Sequence, residues 1–592
     1  MFDIDTDSRL NKYKDSQIIV RLLKYAIPYL PAFILTLVLM LISVGFALVE
    51  PYIIGQAIDQ VIGTSIDFPR LFIYLGIFVG AVSLSALFNY LQTIILQKTG
   101  QSIIYNIREE IFTHLEFQDI EYFNKVPTGK LVTRVTNDTN TLNEMYTSVI
   151  VSVFRNLFML IGILTVMFIL NASLTLLVLI VVPFIVIFSF VFRRFSRKAY
   201  RTVRTNMSRL NGFLAEHLSG MKIVQIFNQE ESKYNAFNEQ NTKLKKSFMR
   251  ELLVFAIYRP TMYLLYMIAT IIIFYFGGIS VLEGVITVGM LIAFHQYLGR
   301  FFEPIQQLAE QFNILQSAFA SSERIFAILD SHPNVLDVED AITLDDVKGE
   351  IEFRNVWFAY KGDEWVLRDV SFKVNAKESV AFVGATGAGK TTILALLTRN
   401  YDIQKGDIFL DGINIKNIKM SSLRSFIGQM LQDVFMFSGT VASNIKLRSE
   451  DITDEEMIES CKYVNAHRFI EKLPKKYDEK VRERGNNFSA GQRQLMSFAR
   501  TLVHKPRIMI LDEATSNIDT ETEQLIQESL KKMMNIGTML IVAHRLSTIQ
   551  HVDQIIVLQL GKIIEKGSHQ ELLKQKGHYH YLYQLQYQDQ EA

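Results

Sequence analysis

Four stretches of the chain carry no Asp, Glu, Lys or Arg and are long enough to cross a bilayer. They cover residues 25–49, 71–97, 156–192 and 260–282. About 20 apolar residues span the hydrocarbon core, so the third stretch is too long for one helix. Asn171, Ala172 and Ser173 interrupt its hydrophobicity near the middle and predict two helices joined by a tight outer hairpin. A further apolar stretch, 281–302, follows Gly277 and Gly278 and predicts a sixth crossing.

Composition agrees with a chain that lies only partly in water. Mean hydropathy is +0.18 over 592 residues, and 61 basic side chains balance 60 acidic ones. A net charge of +1 gives no reason to expect a nucleic-acid partner, which would need a basic patch. The single cysteine, Cys461, excludes an intramolecular disulfide framework and a Cys-based zinc site.

Lys and Arg are concentrated on one side of the predicted spans. Residues 1–24 carry five, residues 98–155 six and residues 193–259 fourteen, whereas the intervening loops carry only Arg70. The positive-inside rule therefore places both termini in the cytosol. Residues 1–24 are polar and amphipathic and lack the apolar core of a signal peptide, so we expect a cytosolic segment that is not cleaved.

The two inner segments, each about sixty residues long, are mostly helix-permissive. We therefore expect the membrane helices to continue into the cytosol, the alternative being a disordered loop. Arginines between residues 193 and 204 follow a span directly and are typical of positive-inside charge. His295 and Glu283 are the conspicuous polar groups in or beside the sixth span and are weak candidates for substrate contact.

Strand-like segments and turn residues appear after residue 330. Residues 331–349 are predicted to be a linker between a membrane domain, 25–330, and a soluble domain, 350–592. The soluble part alternates strands and helices, which predicts an α/β domain on a largely parallel sheet. The predicted fold class is thus an all-α six-helix membrane domain followed by an α/β nucleotide-binding domain.

A phosphate-binding sequence follows the apolar strand 379–383. It fits G-x-x-x-x-G-K-[ST], and its residues are Gly384, Ala385, Thr386, Gly387, Ala388, Gly389, Lys390, Thr391 and Thr392. Glycines let backbone amides face the phosphates, the following helix adds its positive end, and Lys390 supplies a point charge. Thr391 is predicted to hold Mg²⁺ through its hydroxyl group.

A second apolar strand, 508–511, ends in two carboxylates. Asp512 is placed to reach Mg²⁺ through water, and Glu513 to polarise the attacking water. Alone, this pattern is more typical of a buried strand with a solvated acidic end.

Residues 487–494, NFSAGQRQ, make the assignment specific. They resemble the signature of the ATP-binding cassette (ABC) transporters, usually Leu-Ser-Gly-Gly-Gln. The resemblance covers the whole chain and implies an ATPase with ATP and Mg²⁺ as cofactors. It assigns Ser489, Gly491 and Gln492 to the γ-phosphate of an ATP held by another chain. The remaining family motifs are also present. They are Tyr360 as the aromatic residue that stacks on adenine, Gln432 in the Q-loop, Asp519 in the D-loop at 516–519, and His544 as the switch histidine.

The resemblance also implies roles for these residues. Glu513, His544 and Gln432 are expected to be catalytic, and Gln432 to contact Mg²⁺ together with Thr391 and Asp512. The membrane half resembles the six-helix, domain-swapped exporters, in which segments 118–131 and 219–231 correspond to coupling helices. A chain with one such half and one ATPase domain is a half-transporter that must dimerise. Two bound ATP molecules would close the pair, and hydrolysis would release it.

The signature departs from the usual form at two positions. Phe488 replaces Leu and Ala490 replaces the first Gly, whereas Glu513 and His544 are intact. This combination is similar to one subunit of heterodimeric bacterial multidrug exporters, whose partner has Asp in place of the catalytic Glu. The alternative is a homodimer that tolerates Ala490.

The resulting expectation is an exporter subunit in a bacterial cytoplasmic membrane. It would move lipophilic or amphipathic compounds, typically drugs, out of the cell. A lipid flippase or a peptide exporter of the same fold remains an alternative, as does a non-transporting, ATP-gated sensor subunit.

Overall fold

The computed structural model describes residues 14–62, 68–431, 433–447, 449–512, 520–542 and 549–591. The chain divides into two compact units. The first comprises Met1–Glu116 and Thr128–Ser331, and the second comprises Phe117–Pro127 and His332–Ala592. The short segment 117–127, within the first predicted coupling helix, therefore belongs to the second unit.

The first unit is helical throughout its described part. Its helices are α1 (Asp15–Ala26), α2 (Leu30–Ala57), α3 (Phe68–Glu116), α5 (Thr128–Thr133), α6 (Thr139–Glu144), α7 (Ile150–Leu170), α8 (Ala172–Leu179), α9 (Val182–Ser219), α10 (Met221–Ile226), α11 (Glu230–Leu282) and α12 (Val288–Leu329); α4 (Ile120–Lys125) lies in the second unit. Within the described residues, five helical stretches are long and apolar enough to cross a membrane: Asp15–Gln60, Phe68–Glu116, Thr128–Leu170, Ala172–Ser219 and Glu230–Leu282.

These helices are much longer than a bilayer is thick. At 1.5 Å per residue, the 53 residues of α11 extend about 80 Å, against a hydrocarbon core of about 30 Å. The predicted continuation of the helices beyond the spans is confirmed, and the alternative of a disordered inner loop is wrong for the described residues. The hairpin break is confirmed as well, because α7 ends at Leu170 and Asn171 caps α8 by accepting a hydrogen bond from the Leu174 amide at 2.9 Å.

Helix α11 ends where the charge-free stretch 260–282 ends. It continues through Gly277 and Gly278 to Leu282. A Cβ atom on Gly277 would lie 2.5 Å from the Leu291 side chain, so this glycine permits close packing of α11 on α12. Helix α12 has 42 residues and contacts α2, α7 and α11, but it is not among the five apolar stretches. A sixth crossing therefore stays a prediction.

The second unit contains two main sheets and a helical part. The strands are β1 (Ile351–Ala359), β2 (Trp365–Val374), β3 (Ser379–Val383), β4 (Lys405–Leu410), β5 (Ile413–Asn414), β6 (Ile427–Met430), β7 (Gly439–Thr440), β8 (Lys480–Val481), β9 (Ile508–Asp512), β10 (Thr538–Val542), β11 (Gln554–Gln559) and β12 (Lys562–Gly567). The helices are α13 (Lys390–Leu397), α14 (Met420–Ser425), α15 (Val441–Lys446), α16 (Asp454–Tyr463), α17 (His467–Ile470), α18 (Ala490–Val503), α19 (Thr520–Met533), α20 (His569–Gln575) and α21 (His578–Glu591).

The larger sheet has the order β12-β11-β3-β10-β9-β6 and is parallel except for its edge strand β12. Strands β3, β9 and β10 alternate between two buried clusters, one on each face, which explains their nearly continuous apolar sequences. The second sheet, β2-β1-β4-β5, is antiparallel. The predicted α/β class is confirmed, and the carboxyl ends of β3 and β9 lie at the same sheet edge, separated by β10.

The predicted linker is attached to the second unit. Ile342 forms a bridge to Ile418, and the Leu344 amide donates to the Ser422 hydroxyl at 2.9 Å. Arg399, which is 2 % exposed, donates to the Leu336 carbonyl at 2.7 Å and pairs with Asp337 at 3.3 Å. A buried guanidinium needs such partners, so these contacts fix residues 336–344 on the domain surface.

Candidate nucleotide site and membrane cavity

The phosphate-binding loop connects the buried strand β3 to α13. Gly389 caps the helix with φ +99°, a conformation that L side chains rarely adopt. A Cβ atom there would also lie 2.6 Å from Leu367 Cδ2. Both observations explain why the motif has glycine here. The loop residues Gly384, Thr386, Gly387 and Ala388 precede Gly389 in the chain, so they join β3 to the positive end of α13.

Lys390 is the first residue of α13 and is only 6 % exposed. Its Nζ donates to the Gly384 carbonyl at 2.7 Å and to the Ala385 carbonyl at 3.1 Å. Burial lowers the pKa of this ammonium group, and the negative charge of Asp512 opposes that effect. Asp512 ends β9, so the structure brings these two motifs close enough for their charges to interact, as the sequence predicts.

Two threonines follow the lysine and differ in their surroundings. Thr391 is exposed, whereas Thr392 is buried and its hydroxyl lies 3.1 Å from the Tyr360 hydroxyl. Tyr360 directly follows β1 and is 44 % exposed. Phe358 and Tyr401 contact its ring edge-to-face, with centroids at 4.8 and 5.1 Å. The predicted adenine-stacking side chain is therefore held beside the first turn of α13.

The signature segment forms a helix start. Ser489 caps α18: its hydroxyl accepts from the Gln492 amide at 3.2 Å, and the Gln492 side chain accepts from the Ser489 amide at 3.0 Å. Gly491 is buried, whereas Ser489 and Ala490 are exposed. Phe488 is 6 % exposed and belongs to the apolar core. Both departures from the usual signature thus fit the local fold, which keeps Ser489 at the surface.

Four predicted site residues, Gln432, Glu513, Asp519 and His544, lie outside the described residues, as do 516–518. Their neighbours in sequence are described: Asp512 is the last residue of β9, and it pairs in register with Val542 at the end of β10. Glu513 therefore directly follows one of these neighbouring strands, and His544 comes two residues after the other.

The resemblance implies that segment 118–131, a coupling helix, rests on an ATPase domain, and the structure shows which residues of this segment make contacts. Helix α4 begins after Asp119, whose carboxylate accepts from the Tyr122 amide at 2.8 Å and from the Asn334 amide at 2.6 Å. The Asn124 side-chain amide donates to the Tyr401 hydroxyl at 2.8 Å. Because Tyr401 contacts the Tyr360 ring, the segment that corresponds to a coupling helix reaches the predicted adenine side chain through one intervening residue.

The sequence analysis also did not predict the contacts that two acidic side chains make between helices of the first unit. Glu50 on α2 pairs with Arg300 on α12 at 2.5 Å, and the Asp59 carboxylate accepts from the Gly289 amide at 2.7 Å. Glu50 directly follows the first charge-free stretch, which was the only available signal. Of the weighed candidates, His295 lies 3.2 Å from the Tyr266 hydroxyl, and Glu283 is exposed after α11.

A phosphate-binding loop between a buried strand and a helix, on a largely parallel sheet joined to long apolar helices, defines a membrane protein with a nucleotide-binding domain. Comparison with protein families agrees. Residues 33–305 match the family model of the ABC transporter transmembrane region, and residues 367–516 match a second family model, described as ABC transporter. The chain belongs to the ABC transporter family. It is a multi-pass membrane protein of the exporter type, and its ATPase is coupled to transport. Half-transporters of this family dimerise.

Curated relatives cover nearly the whole chain. The uncharacterized ABC transporter ATP-binding protein YknV of Bacillus subtilis is 38% identical over 96% of this chain and 94% of its own length. The probable multidrug resistance ABC transporter ATP-binding/permease protein YheH of the same organism is 39% identical over 86% of this chain and 76% of its own length. An ATP-dependent lipid A-core flippase of Syntrophus aciditrophicus is 35% identical over 96% of this chain and 94% of its own length.

Proposed function

We propose that this chain is the hydrolytic subunit of a heterodimeric exporter that moves lipophilic or amphipathic compounds out of the cell across the cytoplasmic membrane. The observation that carries the proposal is the contrast between its two half-sites. Glu513 and His544 are retained, whereas the signature carries Phe488 and Ala490. An asymmetric pair of ATP sites needs such a contrast.

In the proposed active site, the phosphates are surrounded by the backbone of Gly384, Thr386, Gly387, Ala388 and Gly389. The Tyr360 ring stacks on adenine, and the Thr392 hydroxyl contacts the Tyr360 hydroxyl and holds the ring in place. Lys390 releases its two carbonyl partners to contact phosphate oxygens. A hydroxyl and a carboxylate are donors that suit Mg²⁺, so Thr391 and Asp512, with Gln432, would hold it. When bound, Mg²⁺ neutralises charge on the phosphates.

Hydrolysis is assigned to the residues that follow β9 and β10. Glu513 takes up the developing proton of the attacking water, and His544 and Gln432 orient the reacting groups. The partner chain's signature would complete this site. Ser489, Gly491 and Gln492 of this chain, with Asp519 at the interface, would contribute to the second, poorly hydrolytic site. The exposed position of Ser489 at the start of α18 supports that role.

The second predicted coupling helix supports dimerisation. Ile223, Ile226 and Phe227, in and beside α10, are between 63 and 67 % exposed. Three large apolar side chains next to one another at one helix turn are typical of an interaction surface. We propose that they contact the ATPase domain of the partner chain, so that closure of the ATPase pair moves the membrane helices.

The proposed cargo class is supported by the printed name of YheH, which refers to multidrug resistance. A lipid flippase remains the second candidate because relatives named as lipid A-core flippases cover the chain equally well.

Isolation of the native assembly tests the heterodimer. We expect that the tagged chain, gently solubilised from its native membrane, co-purifies at one-to-one stoichiometry with a different ABC half-transporter. Mass spectrometry should identify a partner with the usual signature and Asp at the position equivalent to Glu513. Recovery of this chain alone as a dimer would contradict the proposal, because two signatures containing Ala490 would then support hydrolysis.

Substitution of Tyr360 tests the adenine assignment. Stacking of a base on an aromatic ring contributes about 1–3 kcal/mol, so Tyr360→Ala is expected to weaken ATP binding about tenfold. Tyr360→Phe keeps the ring and removes only the contact with Thr392, so it should bind ATP within about twofold of wild type. Equilibrium binding of a fluorescent ATP analogue to the full chain measures both. Equal affinity of the Ala and Phe variants would contradict the stacking role.

A further inference from the structure

The first unit contains a cavity of about 1320 Å³ in which arginine is the most frequent lining residue. It lies between α6, α9, α11 and α12, and its α9 residues recur every three or four positions from Ser189 to Arg209. That spacing places them on one face of the helix. The cavity begins where the charge-free stretch 156–192 ends, so it adjoins the apolar part of the unit.

The charge of this cavity is strongly positive. Among the described lining residues, six are arginines and two, Glu144 and Glu251, are glutamates; the arginines are Arg193, Arg197, Arg201, Arg204, Arg209 and Arg259. None of these arginines takes part in the ion pairs found between described residues. Arginine presents a planar set of donors that matches phosphate and carboxylate groups.

Aromatic side chains line the same cavity. Phe192 stacks on Tyr258 with ring centroids 3.8 Å apart and meets Phe255 edge-to-face at 5.3 Å. Arg193 lies over the Phe312 ring at 4.2 Å, which holds one cation next to the apolar wall. A surface that combines guanidinium groups with packed rings suits a ligand with an anionic head and an apolar body.

We propose that this cavity binds an anionic amphiphile, with the arginines of α9 contacting a phosphate or carboxylate head and the Phe192, Phe255 and Tyr258 rings contacting its apolar part. The proposal deepens the export function above, on which it rests, by naming the charge of the cargo. Two cations of α9, Arg194 and Lys198, do not line the cavity, and they would serve equally well if the arginines only anchored the helix at the membrane surface.

Ligand binding without nucleotide tests this proposal on the purified native assembly in a neutral detergent. The probe is a BODIPY-labelled phosphatidic acid, followed by fluorescence anisotropy, with phosphatidylcholine carrying the same label as the zwitterionic comparison. We expect the anionic probe to bind about tenfold or more tightly than the zwitterionic one, and its affinity to fall with added salt. Equal binding of the two probes would overturn the proposal.

Matched double variants locate the site. R197A/R201A is expected to weaken binding of the anionic probe about tenfold or more, whereas R194A/K198A, with the same charge loss on the same helix, should change it less than about twofold. Equal losses in the two variants would overturn the assignment to the cavity. R197K/R201K keeps the charge but not the planar donors, and it covers the case in which the alanine variant fails to fold. It should bind the anionic probe more weakly than wild type but more tightly than R197A/R201A, and a complete loss there would contradict electrostatic recognition.

A competition experiment distinguishes an anionic amphiphile from a soluble anion as the ligand of this cavity. Unlabelled phosphatidic acid is expected to displace the probe, whereas inorganic phosphate at the same concentration is not. Equal displacement by phosphate would show a site for soluble anions and overturn the amphiphile assignment. Because the assay contains no ATP, it fails independently of the export function, which is tested by ATP hydrolysis of the same purified native assembly.

Discussion

Replacing Glu513 by glutamine is expected to abolish ATP turnover while ATP still binds. Glutamine has nearly the same shape but does not accept the proton of the attacking water, and loss of a general base typically lowers the rate by about 10²–10⁴-fold. Lys390, the glycine loop and Tyr360 are unchanged, so the contacts with phosphate and adenine persist. Phosphate release by the purified native assembly, together with equilibrium ATP binding, measures both effects.

A neighbouring glutamate supplies the control. Glu521 is exposed in the first turn of α19, and Glu521→Gln makes the same chemical change eight residues further along the chain. Its ATPase rate should stay within about twofold of wild type, as for most exposed surface substitutions. Normal hydrolysis in Glu513→Gln would show that another group activates the water. Loss of ATP binding in that variant would show that Glu513 is needed to form the site.

The role of Glu513 is inferred from its position in the sequence, directly after β9, because Glu513 lies outside the described residues. The sequence is informative there for a physical reason. Phosphate binding and hydrolysis need particular residue types at fixed offsets from strand ends, and β3 and β9 are recognisable as short apolar stretches. The strand 379–383 and the start of α13 at Lys390 are both found where the motif predicts them.

Contacts between distant parts of the chain were not predictable in this way. The pairing of Glu50 with Arg300 joins residues 250 positions apart, and the hydrogen bond from Asn124 to Tyr401 joins residues 277 positions apart. Neither has a local pattern, because each is created by helix packing or domain folding. The packing of Gly277 is a contact of the same kind: its lack of a side chain permits the close approach of Leu291 on α12, which no local pattern indicates.

The arginines of α9 were predictable from the sequence only in part. Their clustering is visible in the sequence, and the positive-inside rule accounts for it without any ligand. Helical periodicity places Arg193, Arg197, Arg201 and Arg204 on one face, but it does not show what faces them. Only the structure brings Phe255 and Tyr258 of α11, and Ile314 of α12, to the same cavity. The structure is therefore needed to infer a binding role for these arginines.

Replacing Lys390 by alanine is expected to remove most ATP binding by this chain. Hydrogen bonds between charged groups contribute about 1.5–3 kcal/mol each, so loss of an ammonium contact with the phosphates should weaken binding by about 100-fold. The fold should tolerate the change. Burial already disfavours this ammonium, as its lowered pKa shows, and the opposite charge that interacts with it, Asp512, is only partly buried. Lys472→Ala, at an exposed lysine of the same domain, should leave ATP affinity unchanged.

The stoichiometry of ATP binding makes this variant informative about the assembly. In a heterodimer, Lys390→Ala removes one of two ATP molecules, and the site formed by the partner's phosphate loop with Ser489 of this chain remains. In a homodimer, the same substitution removes both. Equilibrium dialysis of the purified assembly with labelled ATP, at free nucleotide about tenfold above the wild-type dissociation constant, distinguishes one bound ATP from none, because an intact site is then about 90% occupied and a site weakened about 100-fold about 10%. Two bound ATP molecules with wild-type affinity would refute the assignment of residues 384–392 as the phosphate-binding loop, because its only buried cation would then have no role in holding the nucleotide.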